Sequence, residues 1–511
     1  MGTHISSLMN NTFSGKMPRG VFATLMRKDP QSGECSVANL ARGERAQRRT
    51  DSRRPIHRAF WHDGINPRRE PEMTSTRPAA NADGMRRHNL AAVLEIIHRR
   101  RQLSRTEITR ASGLSRSSIK GLVAELETLG LCFESEPLAN NRSGRPSPMV
   151  QPRPDVLSVA VMRDANGITV ALATLGAKIV WRRAVPLPRN VSARDTADIV
   201  ATTIAEARQE LPAGAVLVGI GVATPGFVTG DNHEFVSASS LGWDAEPFAR
   251  YLTEATGIPA ETRYDGHLGV LAESIWGAGL DRKNVVYFYG GPGGIGTAVL
   301  VGGHLLTGNT GIAASFAHAT VRPGGGRCWC GARGCFQVEV TQYDILQALG
   351  EIGALPELPP EAAEDRSPRT VYAPPHDDDP VLPEPPQSPH ERLESYLSRT
   401  GAALRAAVIA YDPELILFDG FFSHLLAYDP DALASYCVIS SFDSMRQRVE
   451  LGTPALGPDL LLLGAADLGF RRLLADPLGV IGGQPAGTDT TANPVTPHTP
   501  ANPTAPAAEP R

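Results

Sequence analysis

From about residue 156 the chain alternates short apolar runs with segments of helical periodicity, and this alternation narrows the possible folds most sharply. The runs include VLSVAVM (156–162), ITVALAT (168–174), VLVGIGVA (216–223) and VVYFYGG (285–291). Runs of this length predict buried strands, and helical segments such as TADIVATTIAEARQEL (196–211) lie between them. Strands that alternate with helices indicate an α/β domain.

Residues 85–150 have a different pattern, that of a helix-turn-helix. After a first predicted helix, Ser104 and Glu107 form a capping box that opens a second helix. Gly113 then stands where a tight turn needs a residue that tolerates a positive φ, and Ser115 caps a third helix. The first helix carries an apolar stripe of Leu90, Val93, Leu94 and Ile97.

The third helix is predicted to read DNA, because the second helix of such a pair enters the major groove. Its first residues are hydroxyl side chains and cations, which suit phosphate and base contacts. The turn NNRSGRPS (140–147) would form a basic wing, whereas a small helical bundle with a solvated basic face is the alternative. The predicted DNA-binding residues are Arg105, Ser115, Arg116, Ser117, Ser118, Lys120, Arg142 and Arg145.

The distribution of charge favours DNA binding over the bundle. Residues 1–150 carry 25 Lys and Arg against 14 Asp and Glu, or +11, and the remainder carries 25 against 40, or −15. Such asymmetry is typical of a nucleic-acid-binding segment joined to an acidic body, although a GC-rich genome would also enrich arginine. Residues 1–84 lack sustained periodicity, so we predict a disordered basic leader.

Three of the six cysteines fall within eight residues and follow a histidine. His318, Cys328, Cys330 and Cys335 give the spacing H-x9-C-x-C-x4-C. One imidazole and three thiolates would close a tetrahedral Zn²⁺ shell and leave no position for water, so the predicted zinc is structural. Free cysteines beside an unrelated histidine are the alternative, and the close spacing of three thiols argues against it.

Amino-acid composition predicts the bounds of the α/β domain, of an insertion within it and of a C-terminal tail. The α/β domain is predicted over 156–478, with a disordered, proline-rich and acidic insertion at 353–392 and a low-complexity tail at 482–511. No apolar run approaches the roughly 18 residues of a membrane helix, and the first residues lack a secretory signal. We therefore expect a cytoplasmic protein without a membrane partner.

These motifs resemble those of the ROK family (repressors, open reading frames and kinases), over about residues 85–475. The most specific match is GGGRCWCGARGCF (324–336) with its upstream histidine, and SLGW, YDGHLGVLAESIWG and DPELILFDG support it. The resemblance is to the repressor branch, which has an N-terminal winged helix. It implies an all-α, winged helix-turn-helix domain followed by an α/β actin-like ATPase domain of ribonuclease H-like fold in two subdomains. It also implies sugar kinase chemistry or sugar sensing, and homodimers or homotetramers.

The chain departs from the family kinases where those kinases bind ATP. Their first phosphate turn is Asp-x-Gly-Gly-Thr, and the corresponding Val161–Gly167 has one glycine and no threonine. Gly293–Gly296 keeps three glycines, which close packing explains equally well. Asp419 and Gly420 replace a pair of glycines. We therefore predict that the chain does not bind ATP and is not an enzyme.

The sugar-binding positions implied by the resemblance are also altered. Asp265 matches the carboxylate that takes a proton from the sugar hydroxyl, and a helix N-cap explains it equally well. Tyr264 replaces an asparagine, while Ser315 and Gln337 replace two glutamates that accept sugar hydroxyls, so either the ligand differs or the pocket has decayed. The predicted effector-binding residues are Gly242, Trp243, Tyr264, Asp265, Ser315, His318 and Gln337, with Asp265 as a vestigial catalytic candidate.

The sequence thus predicts a DNA-binding regulator, expected to be a repressor of sugar uptake or catabolism genes. Its partners would be operator DNA, a sugar or sugar-phosphate effector and further copies of the chain. Two alternatives stay open: an ATP-dependent sugar kinase with an attached DNA-binding domain, and a regulator that responds to a protein partner.

Overall fold

The computed structural model describes residues 82–136, 147–229, 234–291, 293–354, 387–438 and 449–482. The predicted wing residues Arg142 and Arg145 lie outside the described residues. So do 1–81 of the predicted leader, 355–386 of the insertion and 483–511 of the tail. Along the described ranges, no helix is both long and apolar enough to cross a membrane.

The first described segment forms three helices and a small antiparallel sheet, which is the arrangement of a winged helix-turn-helix. Ser104 and Glu107 form the predicted capping box, and Gly113 has a φ of 70°. The first helix starts three residues inside the predicted leader. The elements are α1 (Ala82–Arg100), β1 (Leu103–Ser104), α2 (Arg105–Ser112), α3 (Arg116–Thr128), β2 (Cys132–Ser135) and β3 (Met149–Pro152), with sheet order β1-β3-β2.

The apolar runs that follow form the strands of a first α/β subdomain, as predicted. Its elements are β4 (Val156–Arg163), β5 (Gly167–Thr174), β6 (Lys178–Pro186), α4 (Ala193–Glu210), β7 (Val216–Thr224), β8 (Phe227–Thr229), β9 (Phe235–Ala238), β10 (Trp243–Glu246), α5 (Phe248–Thr256) and β11 (Ala260–Tyr264). The main sheet has the order β11-β7-β4-β5-β6, and β8, β9 and β10 form a separate small sheet.

A second subdomain repeats this strand order. Its elements are α6 (Asp265–Trp276), β12 (Val285–Gly291), β13 (Gly294–Val301), β14 (His304–Leu305), α7 (Phe336–Glu339), α8 (Gln342–Glu351), α9 (Pro389–Tyr411), β15 (Leu415–Gly420), α10 (Phe421–Tyr428), α11 (Pro430–Tyr436) and β16 (Glu450–Gly452). The last two helices are α12 (Leu460–Ala475), which packs back on β4 and β7 of the first subdomain, and α13 (Pro477–Ile481). The order β14-β13-β12-β15-β16 again places three antiparallel strands beside two parallel ones. The predicted two-subdomain, actin-like α/β fold is confirmed.

A predicted boundary of the insertion also differs from the structure. The helix α9 starts at Pro389, inside the predicted disordered insertion 353–392. Ser388 caps it and Glu391 completes a capping box, while proline is tolerated at the first helical position because its missing N–H would have no partner there. The high proline content led us to predict disorder at a position where proline in fact favours the start of a helix.

The winged helix-turn-helix shares its apolar core with the α/β domain. The buried side chains of α1, including Leu90 and Ile97, belong to one cluster with Val218 of β7 and with Phe470 and Leu473 of α12. The two parts of the described chain are therefore joined by continuous packing.

Candidate functional site

A cleft lies where the β4–β5 turn, the β12–β13 turn and the start of α6 meet. Two carboxylates, several hydroxyl groups and aromatic rings line it. The lining residues are Asp164, Ala165, Pro225, Gly226, Phe227, Ser239, Ser240, Tyr264, Asp265, Tyr289, Gly293, Gly294, Ile295, Gly296, Thr297, Ser315, Ala317, His318, Trp329 and Gln337. Five of the predicted effector-binding residues are among them: Tyr264, Asp265, Ser315, His318 and Gln337.

The structure does not place the other two predicted effector-binding residues, Gly242 and Trp243, in the lining of the cleft. Trp243 lies in the core of the first subdomain, 4% exposed, where its ring packs against Phe248 at 4.8 Å and its Nε1 donates to the Val191 carbonyl at 2.9 Å. Gly242 ends the short helical turn before it and does not line the cleft. Ser239 and Ser240 of the same segment line the cleft instead, and the side chain of the next residue, Leu241, is buried in the core.

Asp265 faces the cleft from the first position of α6. Tyr264 occupies the N-cap position, and the Asp265 carboxylate accepts a hydrogen bond from the next amide, that of Gly266, at 2.6 Å. Burial raises the pKa of Asp265 to about 7, the charge of Asp164 adds to the rise, and the Gly266 amide opposes it. A carboxyl group with a pKa near neutrality can accept or release a proton at physiological pH.

Tyr264 is fixed across the cleft floor. Its hydroxyl oxygen accepts a hydrogen bond from the Thr297 amide at 2.9 Å. A Cβ atom at Gly296 would lie 2.8 Å from that oxygen, so a larger residue there would displace the phenol. Gly294 is similarly close to Gln337, whose Nε2 would lie 2.6 Å from a Cβ atom. Close packing therefore accounts for two glycines of the second phosphate turn.

The turn that corresponds to the first phosphate turn satisfies its own amides. Asp164 Oδ1 accepts hydrogen bonds from the Asn166 and Gly167 amides at 2.7 and 3.0 Å. The buried Arg163 guanidinium donates to the carbonyls of Gly167, at 2.9 Å, and Asp164. Amides that cradle a phosphate must point outward with no internal acceptor. In this turn the amides of Asn166 and Gly167 instead donate to the Asp164 carboxylate.

The predicted metal ligands meet at one point beside the cleft. The donor atoms of His318, Cys328, Cys330 and Cys335 all lie within 4.8 Å of one another. Cys328 Sγ is 3.5 Å from His318 Nδ1, and Cys330 Sγ is 3.6 Å from Cys335 Sγ. A tetrahedral zinc with usual bond lengths places its ligand atoms about 3.6–3.8 Å apart. The cluster can hold a metal ion, and its donor set and spacing fit zinc.

Glu339 holds the cysteine loop, and the sequence reasoning missed it. This buried carboxylate accepts hydrogen bonds from the Gly326 amide at 2.6 Å and from Arg322 at 3.0 Å. Arg399 of α9 donates to the Glu339 carbonyl at 2.8 Å and lies 3.7 Å from its carboxylate. Glu339 thereby ties the loop to a distant helix. Only its position four residues after Cys335 hints at this role, because its partner Arg399 is 60 residues away.

On the winged helix-turn-helix, most predicted DNA-binding residues are exposed, but Arg105 is not free. Its guanidinium pairs with both carboxylate oxygens of Glu134 on β2. The Arg116 and Lys120 side chains of α3 are exposed and have no hydrogen-bond or ionic partner among the described residues. Arg110 of α2, which the sequence reasoning missed, is also exposed, and its charge acts on the nearby Glu107.

The hydroxyl groups at the start of α3 form a cluster. Ser115 Oγ lies 2.9 Å from the hydroxyl groups of both Ser117 and Ser118. It also accepts a hydrogen bond from the Ser118 amide at 3.1 Å, so it caps the helix as predicted. Ser117 and Ser118 therefore remain as polar groups at the N-terminal end of the helix, close to Arg116.

Comparison with known proteins shows the family of the α/β domain and proteins with a similar sequence or fold. The sequence model of the ROK family matches residues 160–470, more than half of the chain. The xylose repressor of Bacillus spizizenii is 25% identical over 262 residues, which are 51% of this chain and 67% of that protein. The glucokinase of Halalkalibacterium halodurans is 31% identical over 196 residues, 37% of this chain and 58% of that protein. The crystal structure of a ROK family transcriptional regulator, a homologue of the E. coli Mlc protein, superimposes with a TM-score of 0.60 at 21% identity. That superposition covers 78% of this chain and 100% of the other, and it shows a shared fold.

Proposed function

Because the chain belongs to the ROK family, we propose that it is a DNA-binding transcriptional repressor whose cleft binds a sugar or a related polyol. The observation that carries the proposal is the free cationic end of α3 joined, in one chain, to a hydroxyl- and carboxylate-lined cleft. The similarity to a xylose repressor supports both the sign of regulation and the class of effector. The matched region spans about half of this chain and two thirds of that repressor.

The DNA partner is a pseudo-palindromic operator bound by a homodimer or a dimer within a homotetramer. In this arrangement α3 of each copy enters the major groove, with half-sites one or more helical turns apart. Selection from a random duplex library with the purified full chain tests this. Recovery of an inverted repeat supports the proposal, and recovery of no enriched sequence contradicts it.

The effector is an uncharged sugar in preference to a sugar phosphate. Asp164 and Asp265 contribute negative charge, and no lysine or arginine occurs among the described residues that line the cleft. A phosphate ester would therefore meet repulsion with no compensating cation. Release of the selected operator is measured with D-xylose, D-glucose and their phosphate esters. Release by a phosphate ester alone would contradict this preference.

The metal partner is one structural zinc ion, held by His318, Cys328, Cys330 and Cys335. Burial lowers the pKa of His318, which favours the neutral imidazole that a metal needs. Four protein ligands leave no open position, so the ion would organise the loop that carries Trp329 and precedes Gln337, both of which line the cleft.

A sugar kinase is the second candidate, and Asp265 favours it. Its pKa of about 7 suits a base that accepts a hydroxyl proton, and the similarity to a glucokinase points the same way. Against it stands the first phosphate turn, whose amides at Asn166 and Gly167 are bound to Asp164. The repressor therefore remains the proposed function.

A further inference from the structure

One helix, α6, has one end in the cleft and the other on the winged helix-turn-helix. Its first residue, Asp265, lines the cleft, and its last, Trp276, contacts α1. A helix of 12 residues at 1.5 Å per residue is about 18 Å long, so α6 spans the distance as a single hydrogen-bonded segment.

Trp276 binds the end of α1 through several contacts. Its Nε1 donates to the Arg99 carbonyl at 3.1 Å. Arg99 lies in the last turn of α1, where carbonyls have no partner within their own helix, so the indole satisfies a group that the helix cannot. The Trp276 ring also lies 5.5 Å from the His98 ring and 6.0 Å from the Arg101 guanidinium.

The helix α12 supports the same end of α1. Asp467 Oδ1 of α12 is 3.1 Å from His98 Nε2, and His98 Nδ1 accepts a hydrogen bond from the Gly176 amide at 2.9 Å. Because Nδ1 is an acceptor, Nε2 carries the proton and donates a hydrogen bond to Asp467. α12 in turn packs directly on α6, where a Cβ atom at Gly464 would lie 2.5 Å from the Leu268 carbonyl oxygen. α6 and α12 therefore present a common surface to α1.

We propose that α6 transmits the state of the cleft to the DNA-binding helices, with Trp276 as the contact that delivers it. The inference rests on the proposed function, since it needs a ligand in the cleft and DNA on α3. A ligand that moves Asp265 shifts α6 along or about its axis and thereby changes the contact of Trp276 with Arg99. Only Arg101–Ser104 separates α1 from α2, and α3 packs on both helices in one apolar core, so a change at the end of α1 reorients the recognition helix α3. By reciprocity, DNA binding alters ligand affinity by the same factor.

Amide hydrogen exchange of the full chain tests the connection without any ligand or DNA. The substitution Asp265→Asn, made at the cleft end, should change the exchange rates of residues 97–101 by about fivefold or more, as expected for coupled sites. In the Trp276→Leu background the same substitution should leave those rates unchanged, while exchange near the cleft still responds. The matched control is Trp181→Leu, whose indole is bonded to Glu210 on α4, and there the effect on residues 97–101 should persist.

Two results would overturn the proposal. One is the absence of any effect of Asp265→Asn on residues 97–101 in the otherwise native chain. The other is an undiminished effect in the Trp276→Leu background. If that variant does not fold, Trp276→Phe, which keeps a ring but lacks the donor, must show a smaller effect than the native chain, and an equal effect also overturns the proposal. Operator selection is a separate measurement, so its failure removes the proposed function without altering the exchange result.

Discussion

Asp265 has two neighbours with opposite effects on its charge. The Asp164 carboxylate disfavours ionisation, and the Gly266 amide favours it, but burial is the largest influence and raises the pKa to about 7 from the ordinary 3.8. Between these two pKa values the folded protein holds more protons than the unfolded chain. This group therefore makes stability fall as pH rises through that interval, and the cost stays in full above it.

Removal of the Asp265 charge should stabilise the protein at high pH. Asparagine keeps an oxygen for the Gly266 amide, so Asp265→Asn should raise the melting temperature by a few °C at pH 8 and by much less at pH 5. Thermal unfolding at the two pH values measures the difference. The control is Asp244→Asn, at an exposed position, which should change the melting temperature by the same small amount at both pH values. An equal gain for Asp265→Asn at both pH values would refute the raised pKa.

Arg116 and Lys120 should account for part of the salt dependence of DNA binding. Replacement of both with alanine should weaken operator binding, and each lost phosphate contact should reduce the slope of log K against log salt by about 0.9. Fluorescence anisotropy over a salt series measures both quantities. The exposed Arg208 of α4 supplies the control, Arg208→Ala, which should leave them unchanged. If the double variant binds the operator with native affinity, α3 is not the helix that contacts DNA.

The cysteine loop is held from both sides. The four side chains that we propose as zinc ligands would close it at one side, and the buried Glu339 binds it to Arg322 and Arg399 at the other. Cys328 and Cys335 are buried while Cys330 is exposed, so Cys330 is the ligand whose replacement disturbs packing least.

Cys330→Ser should therefore lose close to one equivalent of zinc per chain and lower the melting temperature, since metal binding energy contributes to folding. Elemental analysis and thermal unfolding measure the two effects. Cys437→Ala, in the core of the second subdomain, is the control and should keep the zinc. A native protein that contains no zinc would contradict the assignment.

Features that depend on neighbouring residues could be predicted from the sequence, whereas contacts between residues far apart along the chain could not. The capping box at Ser104, the turn at Gly113 and the cysteine spacing depend on residues within a few positions of one another, and each has the predicted form. Trp243 was misplaced because a motif match does not say which face of a strand points to the core. Glu339 was missed because its partner Arg399 is far along the chain.

The two subdomains have the same strand order, yet the sequence shows no internal repeat. Both halves need apolar strands and a helix-covered sheet, and many different apolar residues satisfy that requirement. The duplicated arrangement became visible only through strand pairing, which periodicity cannot specify.

The arrangement of the cleft predicts a protein without kinase turnover. With ATP and D-glucose or D-xylose, phosphorylation should stay at background, because Asp164 occupies the amides of the first phosphate turn. A coupled assay that includes the Halalkalibacterium halodurans glucokinase as positive control measures this. Turnover in the range of about 1–100 s⁻¹ that is abolished by Asp265→Asn would favour the kinase instead.

Because α1 and α12 share one core, the DNA-binding segment cannot complete its packing until the end of the chain has been synthesised. Leu90 and Ile97 are made early, but Phe470 and Leu473, which belong to the same apolar cluster, are made about 370 residues later. At roughly 5–20 residues per second, synthesis of the intervening chain takes on the order of 20–70 s. During that time the nascent DNA-binding segment lacks one wall of its core. A polypeptide released before α12 is complete would therefore carry the recognition helix beside an α1 that lacks its contacts with α12, and operator occupancy would depend on full-length translation.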